Sequence, residues 1–452
     1  MATMIRRGLE RLVERTVAFE AGELAPAVLA CLYFFCLLFG YFMLRPLRDA
    51  MGLAGGVDEL RWLFLGTLCV MIAANLAFAA IASRVPRRVF VPMVYGFGVA
   101  CLVGFLLAFV LLGDSKSEVV GKVFYVWLSV FNLMSTAVFW GFMADVFTRE
   151  QGKRLFGFIA VGGTAGAICG SLWAGSLTTL LGDVGMFAAA SVMYVMAGAI
   201  AVVLDRVARQ RDMGSPEHTL AMGASLGGTS WQGVVDVVRS PYLLAIAGYV
   251  AVFAIGSTLL YFEKMRIIEA FAVSTESRAR VLAWIELGGQ VLTVGLQVFL
   301  TGRLMRRFGV GALLAVVPVI TIVGFIGLAA APAMLVLAAF EVARRAGNFA
   351  LSKPAREALF TIVPRAEKYK AKGLIDTFVY RGGDTAGALA DMALAGLGLV
   401  AAWLAVPLGA ASLAMAIWLG RQEASRAKVS AAVKEPPIPG AGSLAAPASP
   451  HA

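Results

Sequence analysis

Charge is scarce in this sequence, and that scarcity excludes most soluble folds. Asp, Glu, Lys and Arg make up 15% of 452 residues, against about a quarter in an average soluble domain, while 60% are hydrophobic and the mean hydropathy is +0.82. Histidine is almost missing. His218 falls in a polar stretch and His451 at the extreme C-terminus, which argues against histidine metal chemistry or a histidine proton relay. Cys31, Cys36, Cys69, Cys101 and Cys169 all lie inside apolar runs, form an odd set and show no CxxC spacing, so they read as small core residues without disulfides or metal. No metal and no cofactor is expected. No nucleophile, base and orienting group converge along the chain either, so it does not read as an enzyme.

What the chain has instead is apolar runs of about 20 residues, the length a helix needs to cross about 30 Å of hydrocarbon. They read as spans at 24–44, 62–83, 89–112, 121–145, 155–181 and 184–204, then at 241–262, 280–301, 309–331, 332–352, 373–395 and 398–420. Between the two sets, residues 205–240 turn polar, with a Gly/Ser-rich patch near Gly227, and mark a cytoplasmic linker. Residues 1–23 are amphipathic and would lie along the membrane surface, or form a solvated helix. Their charges extend too far for a signal peptide, and the next apolar run is of full spanning length. The tail, 421–452, is rich in Ala, Pro and Ser and is expected to be disordered. The fold class expected is an all-α membrane protein of about 12 transmembrane helices, with one half at 24–204 and the other at 241–420.

A net charge of +11 and a pI near 9.6 invite a nucleic-acid reading, but the cations sit in short loops and form no basic domain. Topology explains them better. Of 39 Lys and Arg, only Arg45, Arg48, Arg61, Lys116, Lys122, Lys264, Arg266, Arg278 and Arg280 fall on the side opposite the termini, and Arg344, Arg345 and Arg381 fall within spans. All the others lie on the side that holds both termini, which is therefore read as cytoplasmic. The partners expected are a lipid bilayer and a small anionic solute, with no nucleic acid.

The halves echo each other. Tyr41-Phe42 precedes Arg45 and Arg48 as Tyr261-Phe262 precedes Lys264 and Arg266. Arg84 to Arg88 matches Arg303 to Arg307, and the glycines Gly162, Gly163 and Gly166 match Gly382, Gly383 and Gly387. Many secondary transporters are built from such repeats, with the substrate between them. Glycines here favour close helix packing over a phosphate-binding loop, because no strand precedes them.

Ionisable residues at membrane depth are costly and usually face a wet cavity or a partner. Glu286, Gln290, Thr293 and Gln297 share one helical face. Glu341, Arg344, Arg345, Asn348 and Ser352 follow in the tenth span, and Asp376, Tyr380, Arg381, Asp384 and Asp391 in the eleventh. Asn132, Ser135 and Thr136 make a shorter patch in the fourth. A purely structural role stays open: Glu341 with Arg344 or Arg345, and Arg381 with Asp384, would hold helices in register as ion pairs. Arg45, Arg48 and Asp49 close the first span on the cation-poor side, where snorkelling explains them less well than an anionic solute at the mouth of a pathway. Asp145 and Arg154, at the turn after the fourth span, read as a gate or topology signal.

Leu44-Arg45-Pro46-Leu47-Arg48-Asp49, Phe139-Trp140-Gly141-Phe142, Lys153-Arg154-Leu155-Phe156 and Lys372-Gly373-Leu374-Ile375-Asp376 together resemble the nucleotide transporter family, the ATP/ADP antiporters of plastids and intracellular bacteria, over most of residues 24–420. The resemblance implies a major-facilitator-like antiporter of a bacterial inner membrane that exchanges nucleotides or a related organic anion by alternating access. It also implies that Lys372 and Asp376 match family positions. The chain departs from the pattern at Gln151, where the family has an acidic residue, and at Asp384, where it has a lysine; Arg381, Arg344 or Arg345 would then supply the charge. Substrate binding is assigned to Arg45, Arg48, Asp49, Arg344, Arg345, Asn348 and Arg381. Coupling or gating is assigned to Asp145, Arg154, Glu286, Glu341, Lys372, Asp376 and Asp384. Proton symport of another anion remains an alternative, as does a transporter-like receptor or scaffold that binds a cytoplasmic partner through its tail. The charge bias predicts that a reporter active only in the cytoplasm works when fused after Ala452 and fails when inserted at Lys116.

Overall fold

A chain in hydrocarbon must satisfy its own backbone hydrogen bonds, and a helix does so within one segment. The computed structural model describes residues 22–82, 85, 87–112, 114–147, 149–212, 237–360, 363, 371, 372 and 374–434, and among them there is no strand. The helices are α1 (Leu24–Gly52), α2 (Gly56–Ala82), α3 (Arg87–Leu112), α4 (Asp114–Val146), α5 (Arg149–Asp212), α6 (Pro241–Phe271), α7 (Thr275–Leu296), α8 (Gly302–Ala330), α9 (Met334–Gly347), α10 (Lys353–Leu359), α11 (Tyr380–Gly396) and α12 (Ala402–Lys434). Helix α5 contains two spans, because Gly182 turns the chain at φ 58°, a conformation that a side chain would oppose. Three π turns interrupt the second part of the chain, at Gln297–Thr301, Asn348–Ser352 and Ile375–Val379. The residues expected to form the amphipathic N-terminus, 1–21, and the middle of the linker, 213–236, lie outside the described set.

Nine stretches among the described residues are long and apolar enough to cross a membrane. Three expected runs are not among them. The one at 62–83 is helical to Ala82, within α2. The one at 332–352 carries Glu341, Arg344 and Arg345 and is divided between α9 and a π turn; the one at 373–395 carries Asp376, Arg381, Asp384 and Asp391 and is divided between a π turn and α11. These last two are helical, but polar and broken into α segments of 14 and 17 residues.

Two expected span ends are displaced. Helix α1 does not stop at residue 44 but runs through Pro46 to Gly52, and α6 runs past Arg266 to Phe271. Pro46 removes one backbone hydrogen bond, yet the helix continues because the side chains beyond it are buried against the rest of the bundle. Arg45 and Arg48 are consequently inside the protein and not at an exposed mouth. Helix α12 likewise continues to Lys434, so residues 421–434 belong to a helix and not to the disordered tail expected there; residues 435–452 lie outside the described set.

Three hydrophobic clusters hold the bundle. One draws on residues 27–204 together with Ala283, and another on residues 237–419. The third mixes the two parts at the end opposite Leu24 and Lys434: Ala50, Leu53, Leu60 and Tyr125 meet Leu259, Phe262, Leu282 and Ala405.

The glycine runs are helix seams. A Cβ placed on Gly162, Gly166 or Gly170 of α5 would lie 2.1, 2.3 or 2.4 Å from the carbonyl oxygens of Cys31, Phe35 or Phe39 on α1. On α11, Gly383 and Gly387 approach the carbonyls of Ala251 and Ile255 on α6 in the same way, at 2.8 and 3.0 Å. Glycine at four-residue spacing lets backbones close to van der Waals contact, and the two seams fall at echoing positions of the sequence. Gly166→Val is expected to lower stability by about 3 kcal/mol or more, read as loss of monodisperse protein in detergent. Gly96→Ala, where nothing lies within 4 Å, should leave it unchanged.

Candidate functional site

The charged groups of α1 meet α4 and α6 first. Arg48 pairs with Asp49, its Nη1 donates to Ser129 Oγ at 2.9 Å, and its guanidinium lies 4.8 Å over the Tyr125 ring. Tyr261 OH donates to Asp49 Oδ1 at 3.3 Å and contacts Tyr125 OH at 3.0 Å. Arg48 and Asp49 are thus one unit, locked by residues from both parts of the chain.

A longer chain of charge runs beside it. Arg45 Nη1 contacts Glu286 Oε2 at 3.1 Å, Arg345 pairs with the other oxygen of Glu286, Arg345 Nη2 pairs with Glu341 Oε1 at 3.1 Å, and Lys264 Nζ reaches the same oxygen at 3.2 Å. Helices α1, α6, α7 and α9 each contribute. The register pair between Glu341 and Arg345 therefore forms, whereas Arg344 makes no ion pair among the described residues. Its Nε donates to Thr321 Oγ1 at 3.1 Å, and its Nη2 donates to Phe253 O at 3.1 Å and Ser257 Oγ at 3.0 Å. The Phe253 ring lies 4.8 Å beneath. Arg344 is only 6% exposed, and all its hydrogen bonds among the described residues go to neutral groups, with the Glu341 carboxylate nearby but not in contact.

Two cavities flank this chain. One of about 270 Å³ is bounded by Tyr41, Arg45, Arg48, Phe64, Asn132, Tyr261, Arg381 and Asp384. The other, about 240 Å³, is bounded by Phe42, Arg45, Phe253, Tyr261, Lys264, Gln290, Glu341, Arg344, Arg345, Asn348 and Tyr380. Asn132 Oδ1 is buried without a hydrogen-bond partner among the described residues. Arg381 Nη1 pairs with Asp384 at 3.2 Å, and Thr258 donates to Asp384 at 3.3 Å, which brings α6 and α11 to the cavity wall.

The structure thus gathers Arg45, Arg48, Asp49, Glu286, Glu341, Arg344, Arg345, Asn348, Arg381 and Asp384 around adjoining spaces. It places four residues elsewhere. Arg154 Nη2 binds Glu23 at 3.0 Å, and Gln151 donates to the same Glu23 oxygen at 3.0 Å, so the carboxylate at that turn comes from the start of α1. Asp145 lies near the same end of α4, and neither cavity is bounded by it. Lys372 pairs with Glu357 at 2.6 Å, and Asp376 is exposed on its π turn. Lys264, Tyr125, Ser257 and Tyr261 join the site without having been assigned to it. Lys264 reads as a loop residue from sequence because its charge follows an apolar run, and the echo of Tyr41-Phe42 in Tyr261-Phe262 was the only signal there.

The end opposite the termini is sealed by polar contacts as well as by the mixed apolar cluster. Asp391 of α11, 0% exposed at its side chain, binds Arg61 Nε of α2 at 2.7 Å through one oxygen and Arg266 of α6 through the other. Arg61 also pairs with Asp58, and Arg266 with Glu263. Arg278 Nη1 of α7 donates to the Leu53 carbonyl at 3.2 Å. Asp391, Arg61, Arg266 and Arg278 each join two parts of the chain.

No family model and no curated protein sequence matches the chain. Among solved structures, a bacterial homolog to the human lysosomal transporter Spinster, in an inward-facing and unoccupied conformation, aligns with a TM-score of 0.52 and 14% identity over 92% of this chain and 96% of that one. Likeness at this identity is one of fold, and it gives no support to the nucleotide transporter family in particular. The chain is an all-helical membrane protein with a major-facilitator-like fold.

Proposed function

We propose that the protein is a secondary transporter that moves an anionic organic solute by alternating access, a nucleotide or another phosphorylated or carboxylated anion, across a bacterial inner membrane with both termini cytoplasmic. The observation that carries this reading is Arg344, buried beside a cavity and in no direct ion pair among the described residues, the Glu341 carboxylate on the same cavity wall being taken up by Arg345 and Lys264. Around the two cavities, Arg45, Arg48, Lys264, Arg344, Arg345 and Arg381 outnumber Asp49, Glu286, Glu341 and Asp384, so the interior favours an incoming negative charge. Tyr41, Phe42, Phe64, Phe253, Tyr261 and Tyr380 supply aromatic faces that suit an organic ring or chain. A scaffold would have its polar stripes closed as ion pairs. The links from Arg45 to Lys264 have that character, while Arg344 and the cavities favour transport. Exchange and proton symport differ in whether a carboxylate such as Asp384 changes charge, and uptake driven by a pH gradient separates them.

Proteoliposomes loaded with a panel of nucleotides, phosphorylated metabolites and dicarboxylates are expected to exchange at least one of them. Arg344→Ala should reduce that uptake about 10- to 100-fold, the worth of charge-assisted hydrogen bonds. No exchange across the panel, or unchanged uptake by Arg344→Ala, would sink the reading.

With cytoplasmic termini, the sealed end faces outward. Asp391 is the link that closes it. Asp391→Asn leaves Arg61 and Arg266 with Asp58 and Glu263, so the bundle should persist while the seal weakens by roughly 1–3 kcal/mol. In a cysteine-free background, a cysteine at Leu53 is expected to react with an impermeant maleimide several-fold faster in Asp391→Asn than in the parent.

A further inference from the structure

Glu286 is placed as a two-oxygen anion held between two guanidinium groups. Its Oε2 contacts Arg45 of α1 and its Oε1 pairs with Arg345 of α9, so the carboxylate bridges the two parts of the chain across the middle of the bundle. Carboxylates and phosphoryl groups share that shape and that complementarity to arginine. The two arginines are not equally committed. Arg345 keeps Glu341 as a second partner. Arg45 has, among the described residues, one ion pair, to Glu286, besides the Phe42 ring 5.7 Å beneath it; its side chain is 24% exposed against 7% for Glu286, and it borders both cavities. Gln290, one turn along α7, donates to Glu286 Oε1 at 3.2 Å and borders the smaller cavity, which gives the carboxylate a neutral partner to stay with. Neither cavity, at about 270 and 240 Å³, reaches the roughly 300–1,000 Å³ of pockets for drug-sized ligands, and Arg45 stands between them.

Resting on the anion-transport reading, we propose that Glu286 is a built-in competitor for the solute: it holds the Arg45 and Arg345 clamp in this state, and the carboxylate or phosphoryl group of the solute displaces it, swinging Arg45 and joining the two cavities into one site. The clamp then selects solutes that present at least two anionic oxygens on one centre. A second anion beside an ionised Glu286 is repelled, so affinity is set by how readily Glu286 leaves. Arg344 and Arg48 serve the rest of the solute.

The test uses the full chain purified in detergent, with inorganic phosphate as the probe and potassium chloride at matched ionic strength as the control. Ligands that bind the native state raise the unfolding midpoint. Glu286→Gln should be stabilised by phosphate at a concentration at least tenfold lower than the parent needs, and Arg45→Ala in the Glu286→Gln background should abolish that gain. Glu286→Asp keeps the charge but is one methylene short of bridging both arginines; it should fall between them, and with Arg45→Ala on top it gives the same comparison where Glu286→Gln does not fold. The proposal is overturned if the Glu286 variants respond to phosphate no more strongly than the parent, or if the gain survives Arg45→Ala. Failure of the transport reading looks different: proteoliposomes exchange no anion while Glu286→Gln still binds phosphate through Arg45.

Discussion

An ionised side chain inside a bilayer has to be met by another, because hydrocarbon offers it nothing. This constraint organises the middle of the protein. Arg45, Glu286, Arg345, Glu341 and Lys264 form one continuous chain; the link from Arg345 to Glu341 lies within α9, and the other three each join a different pair of helices, so the positions of α1, α6, α7 and α9 are mutually dependent. Arg344 breaks the rule. It is supported by a carbonyl, two hydroxyls and an aromatic face, an arrangement that tolerates a cation without neutralising it. Breaking a buried pair is costly mainly because of the charge left behind; Arg344 has the Glu341 carboxylate near but not bound to it, and a cation left without a direct ion pair is the physical reason to read it as functional.

The same bundle shows how a fold can be rigid along some seams and divisible along others. Within each part of the chain, helices meet through glycine, with backbones nearly touching: α5 on α1, and α11 on α6. Between the parts, α7 packs on α5 and α1, with the Trp284 ring against Gly175, and further contact runs through side chains in the apolar cluster around Leu53, Tyr125 and Phe262 and in the link from Arg61 to Asp391. Interdigitated glycine seams resist sliding, whereas ion pairs and apolar faces can be exchanged for others of similar free energy. A rocking motion needs both kinds of surface.

The membrane class and the polar stripes were legible in the sequence, because a glutamate or arginine within an apolar run stands out against its surroundings. Glu286, Glu341, Arg345, Arg381 and Asp384 were all found this way. Pairing within a helix was legible in part, since Arg381 meets Asp384 and Arg345 meets Glu341; pairing between helices was not. Glu341 had two candidate partners four residues or fewer away, and only the packing of α9 on α7 and α6 directs it to Arg345 and Lys264 while leaving Arg344 aside. Span ends were misread at Arg45 and Lys264 because a charge at the end of an apolar run looks the same whether it meets water or a buried carboxylate. Lys372 was singled out by resemblance alone and Asp376 by resemblance together with its place in the polar run of the eleventh span, and neither signal carries information about which face of the bundle the residue occupies.

The split polar helices α9 and α11 also bear on how the chain is made. Glu341, Arg344 and Arg345 lie in one segment, and Arg381, Asp384 and Asp391 in another, at a cost of about 2.5–3.5 kcal/mol for a charged residue at the centre of an isolated inserting helix. Neither segment is apolar enough to enter lipid alone. Their partners Lys264, Arg266 and Glu286 sit on α6 and α7, which leave the ribosome earlier. Synthesis order thus places the receptor charges in the membrane before the helices that need them, and the second part of this protein has to assemble at the insertion site as a group of helices.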